Sequence, residues 1–148
     1  MSAKRLTPGY FDTSALIKCY VEEPGSDPAL AAFTSHVVVS SAIAPGEIAS
    51  AVRRRRDAGD LSESGVSAID ARVRQDRRQW ELRTVDASVL EHAERITRSL
   101  AVRTLDALHL ASAIAVGEEL GHALHFVTGD LRQRSAALAL GLDLVFVE

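Results

Sequence analysis

Short apolar runs alternate with helix-length segments along the whole of this 148-residue chain. The runs are rich in β-branched or aromatic residues; one ends at Asp12, and others span residues 37–39, 81–85, 124–128 and 144–147. The segments between them carry helical periodicity or capping residues at their starts. Such an alternation indicates a parallel sheet flanked by helices. We therefore predict an α/β fold, a three-layer α/β/α sandwich with a mainly parallel central sheet.

Length and composition indicate one domain that spans residues 1–148. With 47% hydrophobic and 25% charged residues, the chain resembles ordinary globular proteins and is long enough to bury a core. The single cysteine, Cys19, excludes an internal disulfide and fits a reducing compartment. No apolar run approaches the roughly 20 residues of a membrane-spanning helix, and the N-terminus lacks a signal-peptide apolar region. We expect a cytoplasmic protein without a membrane partner.

Four acidic residues lie inside the most apolar stretches of the chain. A buried carboxylate is costly unless a cation or several hydrogen-bond donors meet it. Two of the four follow predicted strands, at the sheet edge where α/β proteins bind ligands. One shared divalent cation explains all four most economically, and an all-oxygen ligand set suits Mg²⁺, with Mn²⁺ as a substitute. The four residues are Asp12, Glu47, Asp106 and Asp130.

A carboxylate-bound Mg²⁺ predicts hydrolysis of a phosphate ester by an activated water. Because Mg²⁺ takes only one or two protein carboxylates directly, we expect Asp12 and Asp106 to contact it. Glu47 and Asp130 would then act through water or hold a second ion. One Mg²⁺ leaves four carboxylates with a formal charge of about −2, so a second ion that arrives with substrate is an open alternative.

Hydroxyl side chains beside the acids are candidates for orienting them. Thr13, Ser14 and Thr128 flank Asp12 and Asp130, where they could donate hydrogen bonds to carboxylates or to metal-bound water. Helix capping competes with this interpretation for Thr13 and Ser14. We interpret His109 as a core histidine and leave it out of the catalytic set.

Two alternatives do not involve a catalytic metal. In the first, Asp12, Asp106 and Asp130 each stabilise the start of a helix, although Glu47 resists this account because it lies within an apolar predicted helix. In the second, the chain is a non-catalytic metal-binding or phosphoacceptor module with Asp12 as the regulatory group. Such a module would need paired acids early in the chain and a late lysine, whereas the lysines here are Lys4 and Lys18.

The charge distribution is uneven although the net charge is only −3. Residues 50–83 contain nine arginines and six acids, a local balance of +3 that leaves −6 for the rest. The run Arg53, Arg54, Arg55 and Arg56 could follow the phosphate backbone of a nucleic acid. A solvated helical face is the usual meaning of such a run, so nucleic-acid binding, partner binding and solubility all stay open.

The segments that carry the acids also match a known pattern in chain order. They are YFDTSAL (10–16), SSAIAPGE (40–47), RTLDALHLA (103–111) and FVTGD (126–130), followed by the alanines at 136–137 and Gly-Leu at 141–142. Together they resemble the PIN-domain ribonucleases, and particularly the VapC toxins of bacterial toxin–antitoxin pairs. The resemblance covers nearly the whole chain.

This resemblance implies a PIN-like sandwich in which the four acids converge on one pocket. It also implies an endoribonuclease that depends on Mg²⁺ or Mn²⁺ and is the toxin of a type II toxin–antitoxin module. The expected partners are an RNA substrate, a cognate antitoxin whose C-terminal segment occupies the active-site groove, and a second copy of the chain bound through the helices around Glu47. A PIN-like nuclease that processes RNA or acts on DNA without an antitoxin is the alternative within this family.

Overall fold

The structure, a computed structural model, describes residues 4–148 and has the predicted α/β architecture. Five strands, seven α-helices and a short 3₁₀ turn (Arg77–Gln79) make up this part of the chain. In chain order the elements are β1 (Thr7–Phe11), α1 (Thr13–Ile17), α2 (Ser26–Ser35), β2 (His36–Ser41), α3 (Ala44–Asp57), α4 (Glu63–Asp76), β3 (Glu81–Arg83), α5 (Ala87–Ser99), α6 (Thr104–Leu120), β4 (His125–Thr128), α7 (Leu131–Ala139) and β5 (Asp143–Phe146).

The strands form one five-stranded sheet in the order β3-β2-β1-β4-β5. Neighbouring strands are parallel, so the chain between two strands must return from the carboxyl end of one to the amino end of the next. Strand β1 is central: its Tyr10 lies opposite Val39 of β2 and Phe126 of β4. The predicted sheet is confirmed, and in the described residues it is entirely parallel.

Each face of the sheet has its own apolar core because successive strand residues point to opposite faces. On one face, Phe11 and Val38 pack with α1, α2, α3 and α4; on the other, Tyr10 and Val39 pack with α5, α6 and α7. Phe126 stacks on Tyr10 with ring centroids 5.7 Å apart. Two helical layers around one sheet confirm the three-layer sandwich.

Helix α6 is buried on most of its surface, and this explains its apolar sequence. Its residues from Ala107 to Ala113 are all buried, including the polar His109 and Ser112. A helix that is apolar all round is either a core helix or a membrane span. Here it packs on the sheet and on α5. Among residues 4–148 no helix combines the length and the apolarity needed to cross a bilayer.

The topology gathers helix starts at one edge of the sheet. Helices α1, α3 and α7 begin just after β1, β2 and β4, so their N-termini lie at the carboxyl ends of these strands. Helix α6 runs back toward β4 and therefore also begins at this edge. The positive end of each helix dipole favours a negative side chain there. Each of the four helices carries a predicted site acid at its cap or in its first turn.

Candidate active site

Asp12 is the deepest acid of the site, with 3% of its surface exposed. Its Oδ1 accepts hydrogen bonds from the hydroxyl of Ser14 at 2.6 Å and the main-chain N–H of Ala15 at 3.0 Å. Its Oδ2 accepts one from the hydroxyl of Thr128 at 2.5 Å. Burial nevertheless raises the pKa of Asp12, although the charge of His109 and these donors oppose the rise. Ionisation of this carboxylate is therefore disfavoured by its burial, and a nearby cation would stabilise the ionised form.

Glu47 is fixed by two side chains from other elements. Its Oε1 accepts hydrogen bonds from the Thr13 hydroxyl at 2.7 Å and from Nε2 of His109 at 2.6 Å. Burial would raise the pKa of Glu47, but the hydrogen bond and charge of His109, helped by Thr13, hold it below its usual value. Glu47 is therefore ionised and oriented.

Glu47 lies in a different setting from the one predicted. The sequence predicts Glu47 on the buried half of a helix from about Ile43 to Ala58, whereas in the structure it lies in the first turn of α3 with 24% of its side chain exposed. Helix α3 begins at Ala44, with Pro45 in its first turn, where a missing N–H costs nothing. Stabilisation by a helix start therefore applies to Glu47 as well as to the three aspartates.

His109 connects the acids to the core of the protein. Its ring is 2% exposed, and Nδ1 lies 2.9 Å from the hydroxyl of Tyr10. The Nε2–H donates to Glu47 whether the ring is neutral or charged, and Nδ1 accepts from the Tyr10 hydroxyl in the neutral ring and donates to it in the charged one. The interpretation of His109 as a core residue without a role at the site is incomplete, because this ring holds Glu47. Its position three residues after Asp106 on one helical face was the available signal.

Asp106 and Asp130 form the other half of the site, and both are half-buried. Burial and the negative charge of Asp130 raise the pKa of Asp106, while Arg103 opposes the rise from an ion pair whose Nε lies 3.4 Å from Oδ2. Asp130 caps α7 by accepting the N–H of Gln133 at 2.9 Å. The sequence prediction treats Asp106 as an isolated acid and overlooks Arg103, one helical turn before it.

Gln133 is a further residue that the sequence prediction does not identify. Its side chain is 1% exposed, and its Nε2 donates to the main-chain carbonyl of Asp106 at 3.1 Å. Within residues 4–148 its Oε1 has no hydrogen-bond partner. A glutamine between arginines in a surface helix gives no sequence signal of burial, so only the packing reveals it.

Hydrogen bonds and shared clefts link the four acids in pairs. Thr128 donates to Asp12 and accepts the N–H of Asp130 at 3.1 Å, which joins these two acids. Glu47 and Asp106 line a larger cleft of about 950 Å³, and Glu47 and Asp130 line a smaller one of about 300 Å³. In the part of the chain that the structure describes, no three Asp, Glu, His or Cys side chains form a ready-made metal cluster.

The remaining acceptor capacity of the acids fits a divalent cation. Within residues 4–148, three carboxylate oxygens accept no hydrogen bond from the protein: Oε2 of Glu47, Oδ1 of Asp106 and Oδ2 of Asp130. Oδ2 of Asp12 accepts a single one. Each carboxylate thus keeps a lone pair for a ligand, and the oxygen-only donor set matches Mg²⁺ or Mn²⁺. These four residues are the ones that would hold the ion.

The arginine run does not act as one surface. Arg53 pairs with Asp57, Arg55 with the half-buried Glu23, and Arg56 with Asp57 and Glu63. Arg54 has no ion pair in the described residues; its Nη1 donates to the Ser50 hydroxyl at 2.8 Å. Arg54 also lines both the larger and the smaller cleft. Only this member of the run is placed beside the acids.

Known proteins resemble this chain over most of its length. The PIN-domain family profile matches residues 9–138. The chain is 38% identical over 138 residues to ribonuclease VapC46 of Mycobacterium tuberculosis, which covers 92% of this chain and 95% of that protein. It is 36% identical over 117 residues to ribonuclease VapC49 of the same species, covering 74% of this chain and 76% of the relative.

Solved structures share the fold at lower identity. VapBC2 from Rickettsia felis, bound to a promoter DNA fragment, superposes with a TM-score of 0.65 at 13% identity, covering 96% of this chain and 100% of that chain. VapC20 of M. tuberculosis, a toxin that cleaves the sarcin–ricin loop, gives 0.63 at 20% identity over 86% and 93%. With the family match over most of its length and relatives above 35% identity, the chain belongs to the PIN-domain family, in its VapC group.

Proposed function

We propose that the protein is a metal-dependent endoribonuclease and the toxin of a type II toxin–antitoxin module. The observation that carries the proposal is the meeting of four acid-bearing helix starts at the carboxyl edge of the sheet, around two clefts that share Glu47 and Arg54 in their linings. The VapC relatives, named as ribonucleases at 36–38% identity, support RNA as the substrate class. We propose Mg²⁺ as the cofactor, with Mn²⁺ as a substitute.

Each acid has a distinct part in the proposed reaction. A bound Mg²⁺ would activate water and neutralise charge on the scissile phosphodiester. Asp12, Asp106 and Asp130 would hold the ion, with Thr128 joining Asp12 to Asp130. Glu47, which His109 and Thr13 keep ionised and oriented, is placed to hold the ion or to accept a proton from the attacking water. Thr13, Ser14 and Thr128 orient the carboxylates.

Arg54 is the proposed contact to substrate phosphate. Its guanidinium stands free of carboxylates in the described residues and lines both clefts beside Glu47. Arg103 borders the larger cleft opposite and is exposed, although it shares its charge with Asp106. A guanidinium on each wall suits a backbone that carries one negative charge per nucleotide. Arg53, Arg55 and Arg56 are already matched by acids and contribute less.

An antitoxin and a second copy of the chain are the proposed protein partners. The structural neighbours include toxin–antitoxin complexes, and the larger cleft combines apolar residues such as Ile43 and Leu105 with the two arginines. An antitoxin segment with apolar and acidic side chains would complement this lining. We also propose a cytoplasmic location, in line with the single buried thiol of Cys19.

Cleavage of structured cellular RNA by the purified protein tests the proposal. The reaction is run with Mg²⁺, with Mn²⁺ and with EDTA, and a parallel reaction contains single-stranded DNA. We expect RNA cuts that require metal and disappear in Asp106→Asn. Cleavage that survives both EDTA and this substitution would refute the metal site, and cuts in DNA alone would favour the alternative substrate.

A further inference from the structure

Gln133 links the two acid-bearing helix starts that lie on the same side of the sheet. It is the third residue of α7, where its main-chain N–H donates to Oδ1 of Asp130. Its side chain crosses to the third residue of α6, where Nε2 donates to the carbonyl oxygen of Asp106. One residue therefore fixes the spacing between the first turns of α6 and α7.

The link works against electrostatic repulsion. Asp106 and Asp130 are carboxylates at the starts of the two helices that this link joins, so they repel each other when both are ionised. Without a cation between them, like charges push the two helix starts apart. A hydrogen bond from a fully buried side chain opposes this separation.

Fold stability alone is a poor reason for a glutamine at this position. Its Oε1 is buried and, within residues 4–148, accepts no hydrogen bond, which is an unfavourable state for an amide oxygen. The neighbouring Ala136 and Ala137 belong to the apolar core on this face, so an apolar side chain of similar volume would fit its surroundings. The Nε2 hydrogen bond to Asp106 is what such a residue would lose.

We propose that Gln133 is a positioning residue that holds Asp106 and Asp130 at the spacing needed to share one divalent cation. This inference rests on the proposed metal-dependent function. Residues that orient metal ligands typically change metal affinity by about 10- to 100-fold when they are replaced. Gln133 does not touch the ion in this proposal; it acts through the backbone of Asp106.

The test is Mn²⁺ binding by the full chain, measured from the loss of the free Mn²⁺ electron paramagnetic resonance signal. In Gln133→Met, which keeps the side-chain length, we expect affinity to fall by about 10- to 100-fold while the melting temperature in EDTA stays level or rises. Ser112→Ala is the matched control. It also removes a buried polar atom without a partner in the described residues, and its Mn²⁺ affinity should equal that of the unmodified protein.

A double-mutant cycle ties the effect to Asp106. In an Asp106→Asn background, Gln133→Met should lower affinity by much less than it does alone, because the ligand that it positions is already lost. Equal Mn²⁺ affinity for Gln133→Met and the unmodified protein would overturn the inference. So would a failure of both Gln133→Met and Gln133→Leu to fold, since the residue would then serve the fold. If the unmodified protein binds no Mn²⁺ and cleaves no RNA, the proposed function itself fails.

Discussion

At the residue scale, the surroundings of Asp12 and Glu47 shift the pKa values of these two acids in opposite directions. Burial raises the pKa of Asp12, whereas His109 and Thr13 outweigh burial at Glu47 and lower its pKa. Asp12 therefore contributes stability that is complete below its unfolded pKa and is lost as pH rises through its folded pKa. Glu47 has the reverse sign: its contribution is present above its unfolded pKa and is lost as pH falls through its folded pKa.

Asp12→Asn should stabilise the protein when metal is absent. The amide can keep the contacts, because Oδ1 still accepts from Ser14 and Ala15 while Nδ2 donates to the Thr128 hydroxyl, whose proton can turn to Ser14. We expect a gain on the order of 1–2 kcal/mol in the free energy of unfolding at pH 7 in EDTA. The gain should shrink toward pH 4, near the unfolded pKa of about 3.9. Urea unfolding across this pH range measures it, and a loss of stability at pH 7 would contradict the account.

The same substitution should remove activity. Asp12 offers a free lone pair and is one of the proposed ion ligands, so we expect RNA cleavage to drop by roughly 100-fold or more. A fold that is intact or more stable, with no cleavage, separates this result from simple unfolding. Full activity of both Asp12→Asn and Asp106→Asn in Mg²⁺ would show that the site assignment is wrong.

His109→Gln tests the support of Glu47. Glutamine cannot reproduce both ring contacts, so the hydroxyl of the buried Tyr10 or the carboxylate of Glu47 loses a partner. We expect a loss of about 1–3 kcal/mol in the free energy of unfolding, and reduced cleavage because Glu47 loses the hydrogen bond that orients its carboxylate. His92→Gln, at a half-buried position of α5, is the matched control and should stay within about 0.5 kcal/mol. Equal effects of the two substitutions would remove His109 from the site.

At the scale of elements, helix α3 supplies two residues of the proposed site and also holds a neighbouring loop through an ion pair. Its first turn presents Glu47, its second half presents Arg54 to the clefts, and Arg55 reaches back to Glu23 in the loop after α1. Lys18 also pairs with Glu23, with Nζ 3.1 Å from Oε1. The loop that borders the smaller cleft is therefore held to α3 by a three-residue ion cluster.

Arg54→Gln should reduce the salt dependence of RNA binding. Removing one phosphate contact lowers the slope of log K against log salt by about one, with weaker binding for all sequences. Arg53→Gln changes the adjacent residue, which is exposed and paired with Asp57, and should leave the slope unchanged. Filter binding with the inactive Asp106→Asn protein over a salt series measures both. If Arg53 and Arg54 have equal effects, the run acts as a general basic surface instead.

Glu23→Gln should loosen the loop after α1. Its carboxylate is 17% exposed and neutralises two cations, so we expect a loss of about 1–3 kcal/mol in the free energy of unfolding. Glu94→Gln removes an exposed pair with Arg98 and should cost less than about 0.5 kcal/mol. Thermal unfolding compares the two, and equal losses would mean that the cluster around Glu23 has no special role.

The whole molecule shows what a sequence can and cannot predict. The strand–helix alternation predicts the sandwich because a parallel sheet leaves few other arrangements, and the same topology brings Asp12 and Asp130 to one edge. Long-range packing between α3, α6 and α7 decides what the sequence could not predict: how far Glu47 is buried, its hydrogen bond from His109, and the hydrogen bond from Gln133 to Asp106. The different roles of Arg53 to Arg56 likewise depend on which acids lie opposite each one.

A homodimer is the remaining expectation for the whole molecule. The exposed Leu30 on α2 lies on the same side of the sheet as α3, whereas the exposed Leu90 lies on α5 across the sheet. If the dimer forms through the helices around Glu47, Leu30→Glu should give a monomer of 15.9 kDa and Leu90→Glu should remain a dimer. Light scattering after gel filtration measures these masses. A monomer for the unmodified protein, or the reverse order of the variants, would contradict this arrangement.

The most direct test of the site is to locate Mn²⁺ in crystals of the protein from its anomalous scattering. A single cation shared by the helix starts at the carboxyl edge predicts a peak roughly 2.0–2.3 Å from a carboxylate oxygen of Asp12 and from one of Asp106. The peak should vanish in crystals of Asp106→Asn. A strong peak away from these acids, or none at millimolar Mn²⁺, would show that the carboxylates serve only to stabilise their helices.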